Sequence, residues 1–407
     1  MKMLGRTAIA GIAVLICQHA FAVGADLFAT SWNEGKRIDA ERALPPTIFY
    51  ESPAHSSHAD DPGTLIRSES AQEYALPSGV TATRILYHTR TSAGVDAISS
   101  GVVLVPYGTP PAGGWPLIAW SHGTSGVARS CAPSLMRSLF YDWEGLYEYP
   151  MLGFAVVATD YAGLGTAGRH AYLDMVSNGA DVIYSVPAAR AAVANLSTKW
   201  VVVGHSQGGL ASLGAAQLEA TRADPGYLGT VALAGASDLE DLIDSTLRAR
   251  LPILNGLLAF GVYGFQTVYP QLAPEKLLTA AAAKQYETFV TDGCSAAAGA
   301  FAEISPDNMY RRDWKADPNL QKVLARNRPG ALPVRGPLLL VTGGADILFT
   351  AAASEKVSKR LCRSGVRVQR SVYPGLGHDP LVYGSLREQI AWIEGRFSGA
   401  PAPSSCD

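Results

Sequence analysis

The sequence contains a serine in a setting that is typical of a nucleophile. Residues 204–208 read Gly-His-Ser-Gln-Gly and fit the pattern G-x-S-x-G, in which a sharp strand-to-helix turn exposes the serine hydroxyl. The apolar residues 200–203 directly before the motif predict the strand, and the small and apolar residues that follow predict the helix. We therefore predict that Ser206 attacks an electrophilic carbon and is more than a turn residue.

A serine nucleophile requires a base, and the base requires a third group that orients it. A predicted strand ends shortly before Asp346, and His378 follows the next predicted strand, so the three side chains occur in the order Ser, Asp, His. Residues that follow parallel strands meet at the carboxyl edge of the sheet, where open α/β sheets bind ligands. We predict that His378 takes the proton of Ser206 and that Asp346 holds the imidazole in position.

Other acidic and histidine residues compete for these roles. Asp379 is adjacent to His378 and would have to turn back onto its ring, whereas Asp160 precedes the serine and more naturally makes structural hydrogen bonds. His205 lies inside the G-x-S-x-G turn, where packing is the simpler role. His170 could line the site, although it also fits an ordinary loop.

The oxyanion of a tetrahedral intermediate must be stabilised by preorganised hydrogen-bond donors. The backbone N–H of Gln207 is the first candidate, because this residue directly follows the nucleophile. The second is Thr124, in the loop after an early predicted strand, where a neighbouring glycine allows the backbone to turn. The other residues that we expect to contact the substrate are His122, Gly123, Phe260 and Tyr263.

The composition indicates a globular, exported protein. Of the 407 residues, 48% are hydrophobic and only 17% are charged, and the net charge of −2 provides no basic excess for binding nucleic acid. Residues 1–22 resemble a signal peptide, with Lys2 and Arg6, a short apolar stretch and an Ala-Phe-Ala cleavage site that ends at Ala22. No later segment has 18 consecutive apolar residues, so we expect a soluble protein that is secreted or periplasmic.

Four cysteines remain if Cys17 leaves with the signal peptide, which fits an oxidising compartment. Four cysteines can pair in three ways. We favour Cys131 with Cys294 and Cys362 with Cys406, because the second bond would tether a tail rich in proline and serine. Free thiols are the alternative. The cysteine spacing does not fit a zinc site, and we expect neither a metal nor another cofactor.

Apolar strand signals alternate with helical patterns over most of the chain, which predicts an α/β fold with a mostly parallel sheet covered on both faces. Two early strand signals, at 83–91 and 97–108, predict an antiparallel hairpin, and the last helical pattern spans 380–397. Residues 240–330 carry helical patterns without a convincing strand, and we interpret them as a helical cap. The other predicted units are a core of residues 23–239 and 331–400, an irregular N-terminal arm over 23–80 within it, and a tail over 401–407.

Several segments of the sequence resemble the secretory lipase family of α/β-hydrolases, and the likeness covers about residues 45–395. These segments are SHGTSGVARSCAPS at 121–134, GFAVVATDYAGLGTAGRHAYL at 153–173, WVVVGHSQGGLAS at 200–212, VTGGADILF at 341–349 and GLGHDP at 375–380. The resemblance implies an α/β-hydrolase core with a helical cap inserted before the catalytic acid, and ester hydrolysis without a cofactor. It also implies Ser206, Asp346 and His378 as a catalytic triad with Thr124 and Gln207 at the oxyanion hole. It is compatible with Cys131 pairing into the cap at Cys294.

The expected function is hydrolysis of carboxylic esters, by an esterase or lipase, through an acyl-enzyme. The substrate would be a small-molecule or lipid ester. An aromatic-ester hydrolase of the feruloyl or tannin type is compatible with the aromatic residues of the predicted cap. A peptidase or amidase would share the triad, but the sequence has no propeller-like repeat and its accessory segment is helical. A hydrolase-like binding protein would lack a catalytic residue, and none is missing here.

Overall fold

The computed structural model describes residues 31–51, 61–141 and 144–406, so the predicted signal peptide lies outside the described residues. The described strands are β1 Leu65–Ala71, β2 Val80–Arg90, β3 Asp96–Pro106, β4 Trp115–Ser121, β5 Ala155–Thr159, β6 Leu196–His205, β7 Tyr227–Leu233, β8 Leu338–Gly343 and β9 Val368–Tyr373. They form one nine-stranded sheet in the order β1-β2-β3-β5-β4-β6-β7-β8-β9.

The sheet combines an antiparallel end with a parallel centre. β1, β2 and β3 pair antiparallel, β3 pairs antiparallel with β5, and all further neighbouring pairs out to β9 are parallel. Alternate residues of the central strands enter two separate hydrophobic cores, because successive side chains of a strand point to opposite faces. The result is the predicted α/β fold with a mostly parallel sheet, and β2 and β3 form the predicted hairpin.

Eleven α-helices accompany the sheet in the described residues. They are α1 Trp32–Arg42, α2 Glu148–Met151, α3 Met175–Ala192, α4 Gln207–Arg222, α5 Leu239–Ala249, α6 Asn255–Val268, α7 Ala280–Asp292, α8 Pro318–Arg326, α9 Ala351–Arg363, α10 Pro380–Gly384 and α11 Leu386–Phe397. Short 3₁₀ helices lie at Ile48–Tyr50, Arg129–Cys131, Pro133–Leu135, Pro252–Leu254, Pro274–Lys276, Ser295–Phe301, Pro306–Asn308 and Trp314–Ala316. In the part of the chain that the structure describes, none of the helices combines the length and hydrophobicity that a membrane span requires.

The N-terminal part of the chain is more regular than the sequence predicted, since α1 and the edge strand β1 replace part of the expected irregular arm. Only Gly35 of α1 is buried, so this helix has no apolar stripe. It is stabilised by the Ser31 side chain at its N-cap and by ion pairs of Arg37 with Glu34 and Glu41. Most residues of β1 are at least partly exposed, so its sequence lacks the hydrophobic alternation that marks a strand.

The C-terminal helical region is divided, although the sequence predicted one helix over 380–397. Ser385 separates α10 from α11. Its hydroxyl donates to the carbonyl of Leu381 at 2.7 Å and lies 2.8 Å from the side-chain amide nitrogen of Gln389. A serine that bonds to the backbone one turn earlier often bends a helix, which accounts for the interruption.

In the chain, the helical segment from α5 to α8 is inserted between β7 and β8. These two strands are direct parallel neighbours in the sheet. Cys131–Cys294 joins this segment to the loop after β4. Cys362–Cys406 joins α9 to the C-terminal tail, whose Ser405 N–H donates to the carbonyl of Val368 in β9 at 2.6 Å. These disulfides are the two pairings that the sequence analysis favoured.

Candidate active site

Ser206 lies at the junction of β6 and α4, at the carboxyl edge of the sheet. Its backbone has φ 58° and ψ −120°, a region that non-glycine residues adopt only under strain. A side chain on Gly204 would collide with the Ser121 hydroxyl, and one on Gly208 would collide with the Ser121 carbonyl oxygen. The packing around this turn therefore requires glycine at both positions of the motif.

Ser206, His378 and Asp346 form a continuous chain of hydrogen bonds. Nε2 of His378 lies 2.8 Å from Oγ of Ser206, and Nδ1 lies 2.8 Å from Oδ2 of Asp346. The other oxygen of Asp346 accepts the backbone N–H groups of Leu348 at 2.8 Å and Phe349 at 3.0 Å. Since a carboxylate only accepts hydrogen bonds, Nδ1 of His378 carries the proton towards Asp346, and Nε2 is able to accept the serine proton.

Burial and charge act in opposite directions on His378. Burial lowers the pKa of its imidazole, but the charge and hydrogen bond of Asp346 and the charge of Asp379 raise it, and the net pKa lies above the ordinary value. The ring of Phe349 stacks on the imidazole with the ring centroids 5.6 Å apart. The surroundings therefore stabilise the imidazolium that forms when a serine gives up its proton.

Two backbone N–H groups near Ser206 are available to an oxyanion. Thr124 and Gln207 line the same cavity as Ser206, and neither backbone N–H has a hydrogen-bond acceptor within the described part of the chain. Gln207 is the first residue of α4, where helix N–H groups have no partner within the helix. The Thr124 hydroxyl lies 2.7 Å from the hydroxyl of Tyr172, which holds the loop after β4 in place.

The side chain of Gln207 is held by buried polar groups. Its amide nitrogen lies 2.9 Å from Nε2 of His170 and 3.3 Å from the side-chain oxygen of Asn178. Nδ1 of His170 donates to the carbonyl of Ala162 at 3.3 Å, so its Nε2 is the acceptor. Burial lowers the pKa of His170 to about 3, which keeps the ring neutral. His170 therefore contacts Gln207, whose backbone N–H is available at the site. His170 itself does not line the cavity.

A buried carboxyl, Glu144, lies behind the loop after β4, and the sequence analysis did not single it out. Its Oε1 accepts the N–H of Gly123, a residue next to Ser206, and lies 3.4 Å from Nδ1 of His205. Nε2 of His205 in turn lies 3.2 Å from the carbonyl oxygen of His378. Burial raises the pKa of Glu144 well above its ordinary value. In the sequence, Glu144 is a glutamate within an aromatic-rich stretch, and no motif around it indicates a role at the site.

A narrow cavity of about 40 Å³ extends from Ser206 under the helical segment. The lining residues with polar side chains are Thr124, Tyr172, Ser206, Gln207, Thr246 and Tyr310. The main apolar lining residues are Leu242 and Ile243 of α5, Leu257, Leu258 and Phe265 of α6, and Leu348 and Phe349 after β8. The candidate nucleophile thus lies in a mostly apolar pocket.

The four residues that the sequence led us to expect in contact with a substrate, His122, Gly123, Phe260 and Tyr263, are not among those that line this cavity. Phe260 is completely buried and stacks on Phe289 with centroids 4.6 Å apart, while Tyr263 lies under an arginine guanidinium. His122 is buried, with Nδ1 2.6 Å from the carbonyl oxygen of Gly123. Phe260 and Tyr263 lie away from this cavity because α6 turns a different face, with Leu258 and its neighbours, towards Ser206.

The competing acids do not contact the ring nitrogens of His378. Asp160 accepts the Ser100 hydroxyl at 2.6 Å and the backbone N–H of Ser134 at 2.8 Å, which is the structural role expected for it. Asp379 lies at the N-terminus of α10 and acts on His378 only through its charge. Asp346 is therefore the acid that orients the imidazole.

One group of described residues, His205, His378 and Asp379, has potential metal-ligand atoms within 4.8 Å of one another. Both ring nitrogens of His378 already bond to Ser206 and Asp346, and both ring nitrogens of His205 have protein partners. A metal ion at this position would have to displace the hydrogen bonds that give the site its geometry.

The comparison with protein families agrees with this arrangement. The family model of the secretory lipases matches residues 139–405, which is more than half of the chain. The chain belongs to the secretory lipase family. The matched region contains Ser206, Asp346 and His378 and begins after the Thr124 loop. Membership of the family supports hydrolysis of carboxylic esters as the class of reaction.

Solved structures with the same fold include lipases and esterases. This chain is similar to Candida antarctica lipase A in its closed state, with a TM-score of 0.72 and 17% identity over 90% of this chain and 91% of that one. It is also similar to the rice cell wall degrading esterase LipA of Xanthomonas oryzae, with a TM-score of 0.67 and 20% identity over 82% of this chain and 96% of that one. At these identities the likeness establishes the shared α/β-hydrolase fold.

One similar sequence is named as an inactive lipase. The chain is 26% identical over 414 residues to a probable inactive lipase of Mycobacterium tuberculosis, and the match covers 94% of this chain and 89% of the relative. The name describes that protein. In the present chain Ser206, His378 and Asp346 are all present, and hydrogen bonds join His378 to each of the other two.

Proposed function

We propose that this protein is an exported esterase that hydrolyses carboxylic esters with short acyl chains through an acyl-enzyme on Ser206. The observation that carries the proposal is the pair of 2.8 Å contacts that join Ser206 to His378 and His378 to Asp346. A nucleophile with an adjacent base, and a base with an orienting acid, is the arrangement that acyl transfer requires. The apolar cavity beside Ser206 supports an acyl group as the bound part of the substrate.

In the first half-reaction, Oγ of Ser206 attacks the ester carbonyl carbon while Nε2 of His378 takes the serine proton. The carboxylate of Asp346 stabilises the resulting imidazolium through Nδ1. His378 then gives the proton to the leaving alcohol oxygen, and the acyl group stays on Ser206. In the second half-reaction, water attacks the acyl carbon with His378 again as base, which releases the acid and restores the serine.

The N–H groups of Thr124 and Gln207 would stabilise the oxyanion of each tetrahedral intermediate. One such donor typically contributes about 10²–10³-fold to kcat. Glu144 and His170 act as positioning residues for these donors, the first through the N–H of Gly123 and the second through the side chain of Gln207. Fixed donors need no reorganisation when charge develops on the substrate oxygen.

The helical segment from α5 to α8 acts as a cap over the acyl group. A cavity of about 40 Å³ accommodates only a few water-sized groups, so an acyl chain of about two to four carbons fits without rearrangement. A longer chain would have to displace apolar side chains that line the pocket, such as Leu257 or Phe265 of α6. Short acyl esters are therefore the substrates that this cavity favours.

Turnover of p-nitrophenyl esters of graded chain length tests the proposed function. We expect kcat/KM to be highest for the acetate or butyrate ester and about five-fold or more lower for the laurate ester, because displacing packed side chains of the cap costs about 1–3 kcal/mol. The measurement is the release of p-nitrophenol by the exported protein. Absence of turnover would favour a binding protein over an enzyme, and a preference for long chains with a gain at an oil interface would indicate a lipase.

The rate should increase with pH as His378 loses its proton. The base must be neutral to accept the Ser206 proton, and the raised pKa of His378 keeps it protonated above the ordinary midpoint of about 6.5. We therefore expect kcat/KM for p-nitrophenyl butyrate to rise with pH, with its midpoint on the alkaline side of that value. A pH profile whose midpoint falls on the acidic side would show that Asp346 and Asp379 do not stabilise the imidazolium in solution.

Export is the remaining part of the proposal. Two disulfides support an oxidising compartment, and residues 1–22 have the composition of a signal peptide. N-terminal sequencing of the protein collected outside the cytoplasm should begin at Val23. A chain that still begins at Met1 and remains in the cytoplasm would contradict this part.

A further inference from the structure

A groove with three arginines lies at the end of the sheet opposite to Ser206. It is formed at the amino ends of β7, β8 and β9, where Leu228, Pro337 and Arg367 line it, whereas Ser206 and Asp346 follow the carboxyl ends of strands. At about 3.3 Å per residue, the length of β8 alone separates Pro337 from the Asp346 loop by roughly 20 Å. The groove is therefore separate from the site proposed for ester hydrolysis.

The arginines of the groove are Arg335, Arg367 and Arg396, and no carboxylate is among the described residues that line it. Arg396 is only 6% exposed, yet its Nε has no hydrogen-bond partner, and its Nη2 donates to the carbonyl of Ala400 at 2.9 Å. Nη1 of Arg335 is also buried without a partner. The groove thus contains buried N–H donors that the described protein groups leave unsatisfied.

The positive charge of Arg396 is destabilised by its surroundings, although its guanidinium lies over the ring of Trp392 at 5.1 Å from the ring centroid. Burial lowers the pKa of Arg396, and the nearby charge of Arg367 lowers it further. Buried charges in proteins are normally paired, because an unpaired one loses its hydration without compensation. An anion bound between these side chains would offset the repulsion between the guanidinium groups.

The C-terminal tail makes the groove a defined site. Ala400 and Ala402 form one wall, and their carbonyl oxygens accept hydrogen bonds from Arg396 at 2.9 Å and Arg367 at 3.1 Å. The Cys362–Cys406 disulfide holds the end of this tail to α9. Both guanidinium groups are therefore positioned by backbone atoms of a tethered segment.

We propose that this groove binds a phosphate group. The planar fork of an arginine matches phosphate oxygens, and three guanidinium groups suit an anion with more than one negative charge better than a single carboxylate. The groove has a volume of about 610 Å³, within the range of small-molecule sites, and Leu228, Val334 and Val366 supply apolar walls beside the charges. The phosphate can belong to a soluble molecule or to an anionic lipid headgroup, since both present the same oxygens.

Titration with inorganic phosphate tests the proposal. Isothermal titration calorimetry of the full exported chain, at constant ionic strength set with chloride, should show saturable binding. Arg367→Gln should weaken that binding by about ten-fold or more, because it removes a charge-assisted donor. Arg367 is exposed, so the variant should fold, and its ester hydrolysis should equal that of the wild type. The control is Arg312→Gln, an exposed arginine of the helical segment outside the groove, which should bind phosphate like the wild type.

The absence of saturable phosphate binding by the wild type would overturn the proposal, as would an equal loss in Arg312→Gln. Sedimentation with vesicles distinguishes the two sources of phosphate. Binding to phosphatidylglycerol vesicles but not to phosphatidylcholine vesicles, with a loss in Arg367→Gln, assigns the groove to lipid headgroups. Binding of inorganic phosphate without vesicle binding assigns it to a soluble phosphate. Both readouts are independent of ester hydrolysis, so they can be repeated with Ser206→Ala.

Discussion

Replacing Ser206 with alanine should lower kcat for p-nitrophenyl butyrate by about 10⁵-fold or more, because no acyl-enzyme can form. The variant removes the oxygen that lies 2.8 Å from Nε2 of His378, so this base has no nucleophile to activate. The N–H groups of Thr124 and Gln207 are unaffected, which leaves a small residual rate. Alanine carries the same Cβ as serine, so the strained turn at 206 imposes no new steric cost and the fold should be retained.

Ser212→Ala is the matched control for this variant. Ser212 is buried in α4, two turns after the nucleophile, and its hydroxyl donates to the carbonyl of Gly209 at 2.8 Å. The same loss of an oxygen at this position should leave kcat nearly unchanged. Initial rates should be compared at equal concentrations of folded protein, verified by thermal melting. If Ser206→Ala were as active as the wild type, Ser206 would not be the nucleophile.

Replacing Asp346 with asparagine should lower kcat by about 10⁴-fold, because the imidazole would be held in the wrong tautomer. Oδ1 of Asp346 accepts two backbone N–H groups, from Leu348 and Phe349, and the asparagine oxygen must take that position to satisfy both. The amide nitrogen would then point at Nδ1 of His378, which would have to accept. The ring proton would move to Nε2, and that nitrogen could no longer take a proton from Ser206.

Asp379→Asn is the informative comparison for the acid. Asp379 is adjacent to His378 and was the nearest competing acid in the sequence, yet it acts on the ring only through its charge. We expect this variant to shift the pH profile to lower pH and to reduce the maximal rate far less than Asp346→Asn does. If Asp379→Asn lost most of its kcat while Asp346→Asn remained fully active, Asp379 and not Asp346 would be the acid that orients His378.

The positions of Ser206, Asp346 and His378 were predictable because each follows a strong local signal. Buried parallel strands are continuous apolar runs, so their carboxyl ends can be located in the sequence. The glycines at 204 and 208 mark the turn, and the structure supplies the reason, since no side chain fits beside Ser121 at either position. The geometry of a parallel sheet then brings residues together that are more than 100 positions apart in the chain.

The sequence does not show which residues of α6 line the cavity, for a physical reason. α6 is apolar on almost every side, so its periodicity does not reveal which face turns towards Ser206. Phe260 points into the core of the helical segment, whereas Phe265 lines the cavity. The helix α1 was missed for the opposite reason, because its stability comes from capping and ion pairs and leaves no apolar stripe to detect.

The sequence by itself determined the α/β fold, the order Ser, Asp, His along the chain and the motif that positions Ser206, because these depend on local apolar runs and on glycine sterics. Only the tertiary structure decided that Glu144 and His170 lie behind the two proposed oxyanion donors, and that Arg335, Arg367 and Arg396 share one groove. Those arrangements depend on how distant segments pack against one another, and packing between distant segments leaves no periodic pattern in a single sequence.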